Sequence, residues 1–288
     1  MNFSDLLTFD PELAGTPASI SYPESAHALL EESELPYICG GPNARLLSAP
    51  AFPPAKALRD AATFFPGVYP AFHGGIYKAS PFFAGTASAA QGLARVLSMG
   101  ITLPEAKYAL SFAGRPDENA LQAAAGARAV LDGLGLVLSG LTYAFHTKSE
   151  TELPPVVFLA CAEKEPVIPP HFQQAGSMVS LFLCPFAENG LPIAPVMASV
   201  FAQVESLVKQ GRIRSAYALS AGGLAEAVAL MTKKSGLGFA MKPELDVFSI
   251  GTLRFGSILA ESDGPLPGAI PVGQTTAEPV IQPPRCQP

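Results

Sequence analysis

The stretch Ile213–Met231, IRSAYALSAGGLAEAVALM, decides how the rest of the chain is read. Arg214 to Leu219 reads as a strand. Ser220, Ala221, Gly222 and Gly223 then form a tight turn, after which Leu224, Ala227, Val228 and Met231 recur at helical spacing. A strand-to-helix turn of this kind aims backbone N–H groups outward, with the positive end of the helix directly behind them. Lacking Cβ atoms, Gly222 and Gly223 let a bulky anion come close, which makes both candidate phosphate contacts. Glu226, one turn into the helix, is a third candidate for the same cleft; its other reading is an acid placed to suit the helix dipole. The plainer reading of the glycine pair is a close strand-to-helix connection with no ligand.

Composition narrows the classes of function. A chain of 288 residues is long enough for one large or two ordinary domains, each with a real core. Charged residues make up 15% and hydrophobic ones 49%, with a mean hydropathy of +0.30, against the usual fraction of about a quarter charged. Part of the surface is therefore expected to lie against a partner or a second copy. With 18 basic and 24 acidic residues the net charge is −6, which supplies no electrostatic footprint for nucleic acid. Cys39, Cys161, Cys184 and Cys286 show no CxxC spacing and read as free thiols. The first residues, MNFSDLLTFDPELAG, lack the basic and apolar regions of a signal peptide, and the most apolar window, Ala123 to Phe145, is broken by Arg128 and Asp132. These features predict a cytoplasmic protein with no membrane partner.

Outward from the glycine turn, the remaining segments alternate. Residues 1–66 are weakly patterned, with turn signals at Gly40-Gly41-Pro42 and Pro53-Pro54, a short strand expected at Leu35–Cys39 and a short helix at Ala55–Thr63. In Tyr69–Phe83, YPAFHGGIYKASPFF, His73 precedes two glycines; it reads either as a partly buried histidine bonded to backbone or as a site residue. Helical patterns follow at Ala87–Met99 and Leu103–Ala113, and a third begins after Asp117, a good cap. A polar loop from Ser139 to Pro155 holds His146. VVFLAC (Val156–Cys161) and VSLFLC (Val179–Cys184) read as buried strands, separated by a turn and short helix at Ile168–Phe172. A helix at Ala194–Gln210, strands at Leu237–Met241 and Arg254–Glu261, and a disordered proline-rich tail complete the chain. The alternation predicts an α/β (α+β) fold divided into 1–66, 67–153, 154–280 and a tail at 281–288.

In this order the segments resemble the second, C-terminal synthetase half of phosphoribosylformylglycinamidine synthase of the clostridial type. That half belongs to the aminoimidazole ribonucleotide synthetase superfamily, together with selenophosphate synthetase and a hydrogenase maturation factor. The resemblance runs from about Ala71 to Ile281. It is carried by FHGGIY (Phe72–Tyr77), GLARVL (Gly92–Leu97), Leu134-Gly135-Leu136, the run from Leu153 to Leu183, SAYALSAGGLAEAVALM (Ser215–Met231), FGSIL (Phe255–Leu259) and IPVGQT (Ile270–Thr275). It implies an N-terminal layer that pairs with a like domain and a C-terminal α/β layer holding the glycine turn. It also implies ATP or ADP and Mg2+ as ligands, a purine-pathway ribonucleotide as substrate, and a homodimer or a second synthetase half as partner. The chemistry implied is activation of an amide oxygen by phosphoryl transfer, followed by attack of ammonia.

The chain departs from that pattern at two places. Ala221 stands where relatives carry an Asp before the glycine pair, and SGLTYAFH (Ser139–His146) replaces a glycine-lysine-aspartate-serine loop. No glutaminase domain or first synthetase half is present in the sequence. The expected function is therefore a component of such an ATP-dependent C–N ligase, inactive as this chain alone, with His73 and His146 as catalytic candidates and Gly222, Gly223 and Glu226 as nucleotide contacts. The alternative is a catalytically inactive superfamily domain that binds a nucleotide or serves as a structural, dimerising module. A carboxylate census separates them: an active cleft brings Glu226, Glu261 or Asp263 near Gly222.

Overall fold

A computed structural model describes residues 45–48, 81–113, 117–144, 156–162, 167–185, 187, 192–219, 223–245 and 255–282. The expected strand at Leu35–Cys39, the helix at Ala55–Thr63, and His73, His146, Ser220, Ala221 and Gly222 lie outside the described residues.

The first sheet has the order β1 (Arg45–Ser48), β4 (Val156–Ala162), β2 (Lys107–Ala113), β3 (Leu138–Ala144). β2 runs parallel to β3 and antiparallel to β4. The second sheet has the order β10 (Ile281–Gln282), β7 (Gly238–Met241), β9 (Ile270–Thr276), β5 (Met178–Phe182), β8 (Ile258–Ser262), β6 (Ser215–Ala218). The chain therefore changes sheets between Ala162 and Met178.

Helix α1 (Pro81–Ser98) touches β1 and β4 of the first sheet and β6 and β8 of the second. It can sit between two sheets because its buried positions are mostly alanine and glycine. α2 (Glu118–Gly133) crosses it so closely that a Cβ on Gly85 would overlap the Ala123 carbonyl, and one on Gly126 the Phe82 carbonyl. Asp117 caps α2, its Oδ1 accepting the Ala120 N–H at 2.8 Å. α3 (Ala194–Lys209) joins the same core through Met197, Phe201, Val204 and Leu207. On the opposite face of the second sheet, Val179, Leu181, Leu219, Leu259 and Phe239 form a second core with α4 (Gly223–Ser235). Among the described residues, no helix is long and apolar enough to cross a membrane.

The mixed helix-and-sheet fold expected from the sequence is the one observed, with four local corrections. Leu103–Ala113, read as a helix, is a 3-10 turn at Leu103–Glu105 followed by strand β2. A short apolar run fits either period, and pairing of β2 on both edges selects the strand. Ser139–Ala144, read as part of a polar loop, belongs to β3 and closes that sheet. Ile168–Phe172 passes through bends and forms no helix. Ile281 and Gln282, read as the start of a disordered tail, add β10 in parallel to β7, where burial of Ile281 against the second core outweighs the proline-rich context. β9 went unrecognised as a strand because its buried and exposed positions follow no clean alternation.

Candidate functional site

The strand before the glycine turn and the helix after it form where the sequence predicts them, while Ser220, Ala221 and Gly222 lie outside the described residues. Ser215–Ala218 forms the edge strand, and α4 opens at Gly223, whose φ of 60° lies in the left-handed region where glycine carries no Cβ penalty. Ser257, beside the start of α4, is buried and bonded on both its main chain and its side chain. The Leu219 N–H donates to the Ser257 carbonyl at 2.9 Å, and the Cys184 N–H donates to Ser257 Oγ at 3.0 Å. Gly256, at φ 82°, brings this segment against Ala90, Cys184 and Met197. Burial pushes the Cys184 thiol up to about 12, so it stays protonated and inert.

Glu226 is buried in the first turn of α4. It lies within electrostatic reach of the half-buried Tyr217 hydroxyl. That hydroxyl is held above the usual phenol range, first by burial and then by Glu226, while the exposed Arg95 of α1 pulls in the opposite direction. Gly223 and Glu226 thus share the start of α4, and Tyr217 lies in electrostatic reach of both Glu226 and Arg95.

The other two carboxylates weighed from the sequence lie elsewhere. Glu261 is fully buried at the far end of β8: it accepts the backbone N–H groups of Gln173 at 2.8 Å and Gln174 at 2.9 Å, and the Ser215 hydroxyl at 2.6 Å. Asp263 pairs with Arg214, whose other guanidinium nitrogen donates to Ser177 Oγ at 2.7 Å. Thr275 closes the corner, donating to the Gln174 carbonyl at 2.6 Å and accepting the Ser177 N–H at 2.9 Å. Ser215 faces Glu261 and Ala218 faces Ile258, so the corner and the turn stand about 13 Å apart, at roughly 3.3 Å per residue from Ser215 to Leu219. The sequence carried a signal for this corner, a single acid ending the apolar run Ile258–Ala260, but not the direction in which that acid points.

The donor set at the turn does not suit magnesium. The ion takes oxygen ligands, usually one or two carboxylates with phosphates and water. Among the described residues no three His, Cys, Asp or Glu side chains come together in a way that would hold a metal.

No protein-family model matches this sequence, and no curated protein sequence does. Solved structures do match. PurL of T. maritima, complexed with AMPPCP, superposes with a TM-score of 0.56 at 16% identity over 71% of this chain and 39% of PurL. The same protein complexed with FGAR gives 0.55 at 13% identity, over 70% of this chain and 41% of PurL. HypE of E. coli gives 0.50 at 12% identity, over 96% of this chain and 91% of HypE. The chain spans about two fifths of the length of the PurL structures it resembles. At these identities the likeness shows the fold: this chain shares the mixed helix-and-sheet fold of PurL and HypE.

Proposed function

We propose that this chain is a nucleotide-binding component of a phosphoribosylformylglycinamidine synthase-like, ATP-dependent C–N ligase of purine biosynthesis, working with another synthetase half. The observation that carries the reading is the strand Ser215–Ala218 and the helix Gly223–Ser235, which opens on Gly223 at positive φ, set in a fold shared with PurL structures complexed with ATP, ADP and AMPPCP. Outward N–H groups and the α4 dipole would hold phosphate oxygens, and catalysis of phosphoryl transfer would rest on positioning. Gly222, Gly223 and Glu226 line this site in the proposal, with His73 and His146 as residues brought from outside the described segments. The substrate would be a ribonucleotide of the FGAR kind, the partner a second copy or a like half of clostridial type, and the compartment the cytoplasm.

A specific observation favours a second reading. Glu261 and Asp263 serve the opposite end of the sheet, and Glu226 is buried. An inactive superfamily domain, binding nucleotide without turnover or serving as a dimerising module, accounts for that arrangement. Calorimetric titration with ATP and ADP in magnesium buffer, beside Gly223→Asp, separates the two. Asp is among the residues that tolerate left-handed backbone, so the variant should stay folded while its carboxylate repels phosphate. Binding by the parent chain that is lost in the variant supports a working nucleotide site. Absence of binding by the intact, folded chain would leave the structural module.

A further inference from the structure

The polar side chains of the buried helix α1 are of two kinds. Thr86 and Ser98 are settled within the helix, their hydroxyls donating to the Phe83 carbonyl at 2.7 Å and the Arg95 carbonyl at 2.8 Å. Gln91 is not settled: it is 5% exposed, and its Oε1 has no hydrogen-bond partner. A buried acceptor without a donor carries the whole desolvation cost of the group, so an apolar side chain would serve the packing better. One turn on, Arg95 is the one exposed residue of α1, and among the described residues it forms no ion pair. Four residues apart, the two lie on one face of the helix, with Cβ atoms about 5–6 Å from each other. That helix touches β6. At the Gln91 level, Ala90 packs against Gly256, next to the Ser257 carbonyl that holds Leu219; at the other level, Arg95 is in electrostatic reach of the Tyr217 hydroxyl, which burial and Glu226 keep protonated. The strip therefore runs from a covered acceptor to an open guanidinium with a phenol nearby. It suits a small molecule that carries a hydroxyl donor about one helical turn from an anionic group.

We infer that the Gln91–Arg95 face of α1 is a binding subsite for a sugar phosphate, with the Arg95 guanidinium holding the phosphate and Gln91, on its flexible stem, accepting a sugar hydroxyl through Oε1. The inference goes beyond the nucleotide reading and uses no residue of the glycine turn. Ribose 5-phosphate, ribose and inorganic phosphate are titrated calorimetrically into the full chain and into Arg95→Gln and Gln91→Leu, and each protein is unfolded in urea. Ribose 5-phosphate is expected to bind the parent at least about tenfold more tightly than either fragment. Arg95→Gln should weaken it about tenfold or more, and Gln91→Leu should bring it to the level of inorganic phosphate. Gln91→Leu should also unfold at the parent's urea midpoint or above it, because the lost Oε1 had no partner. Equal affinity of the parent for ribose 5-phosphate and inorganic phosphate, binding unchanged by either substitution, or no binding of ribose 5-phosphate overturns the inference. A Gln91→Leu chain that unfolds well below the parent shows that the amide serves packing, and overturns it too. ADP that binds the parent and both variants alike leaves the nucleotide reading standing whatever becomes of this subsite.

Discussion

The two ends of the second sheet treat polar groups in opposite ways. At the corner built around Glu261, a buried carboxylate is fully committed to two backbone N–H groups and a hydroxyl. At the other end, beside the start of α4, there is instead a short run of main-chain bonds around one serine: the Cys184 N–H donates to Ser257 Oγ and the Leu219 N–H to the Ser257 carbonyl, with Gly256 packed against Ala90, Cys184 and Met197. A buried charge with every partner in place is architecture, since its hydrogen bonds end within the protein.

That contrast can be sharpened or broken by four measurements. The largest effect is expected at Cys184. A thiol pushed up to about 12 holds about a thousandfold less thiolate at pH 8 than an ordinary one. Peptide-level mapping of iodoacetamide labelling at pH 8 should therefore find this cysteine at least that much slower in the native chain than in urea. Labelling at the unfolded rate would mean that the segment beside Ser257 is solvated.

Next comes Glu261→Ala, which strands two backbone donors and a buried hydroxyl at a fully buried site. It should cost about 3 kcal/mol in urea unfolding, with Glu261→Gln costing less because one acceptor survives. A neutral Glu261→Ala would show that the corner is solvated. Gly223→Ala introduces a Cβ at φ 60° and should cost about 1–2 kcal/mol; no change in the unfolding midpoint would mean that the turn relaxes to another conformation. The smallest effect belongs to Asp263→Ala. Its side chain is 81% exposed, so loss of the pair with Arg214 should shift stability by less than about 0.5 kcal/mol. A larger loss would join Asp263 to the buried network of Glu261.

Several elements were legible in sequence because their signals are local. The start of α4 at Gly223, α3 and its stop at Gly211 (φ 65°), the cap at Asp117 and the apolar strands β4 and β5 depend on neighbours within a few residues. β2, β3, β9 and β10 were misread or missed because their identity is set by strands far along the chain: β2 by β3 and β4, β10 by β7. Of the candidate site, Gly223 and Glu226 were placed by helical register. The burial of Glu226, its nearness to Tyr217 and the diversion of Glu261 to the opposite corner were not readable. Side-chain direction and partners across a sheet carry no trace in spacing along one strand.

By itself, then, the sequence determined the alternating segments, the strand and helix on either side of the glycine pair and the absence of acids from Ser215 to Ala225, all fixed by residue type and short-range periodicity. Only the tertiary structure decided which apolar runs pair as strands, that α1 is held between two sheets, and where each buried carboxylate finds its donors. Those outcomes depend on non-local contacts, whose strand pairing and desolvation exist only once the layers close.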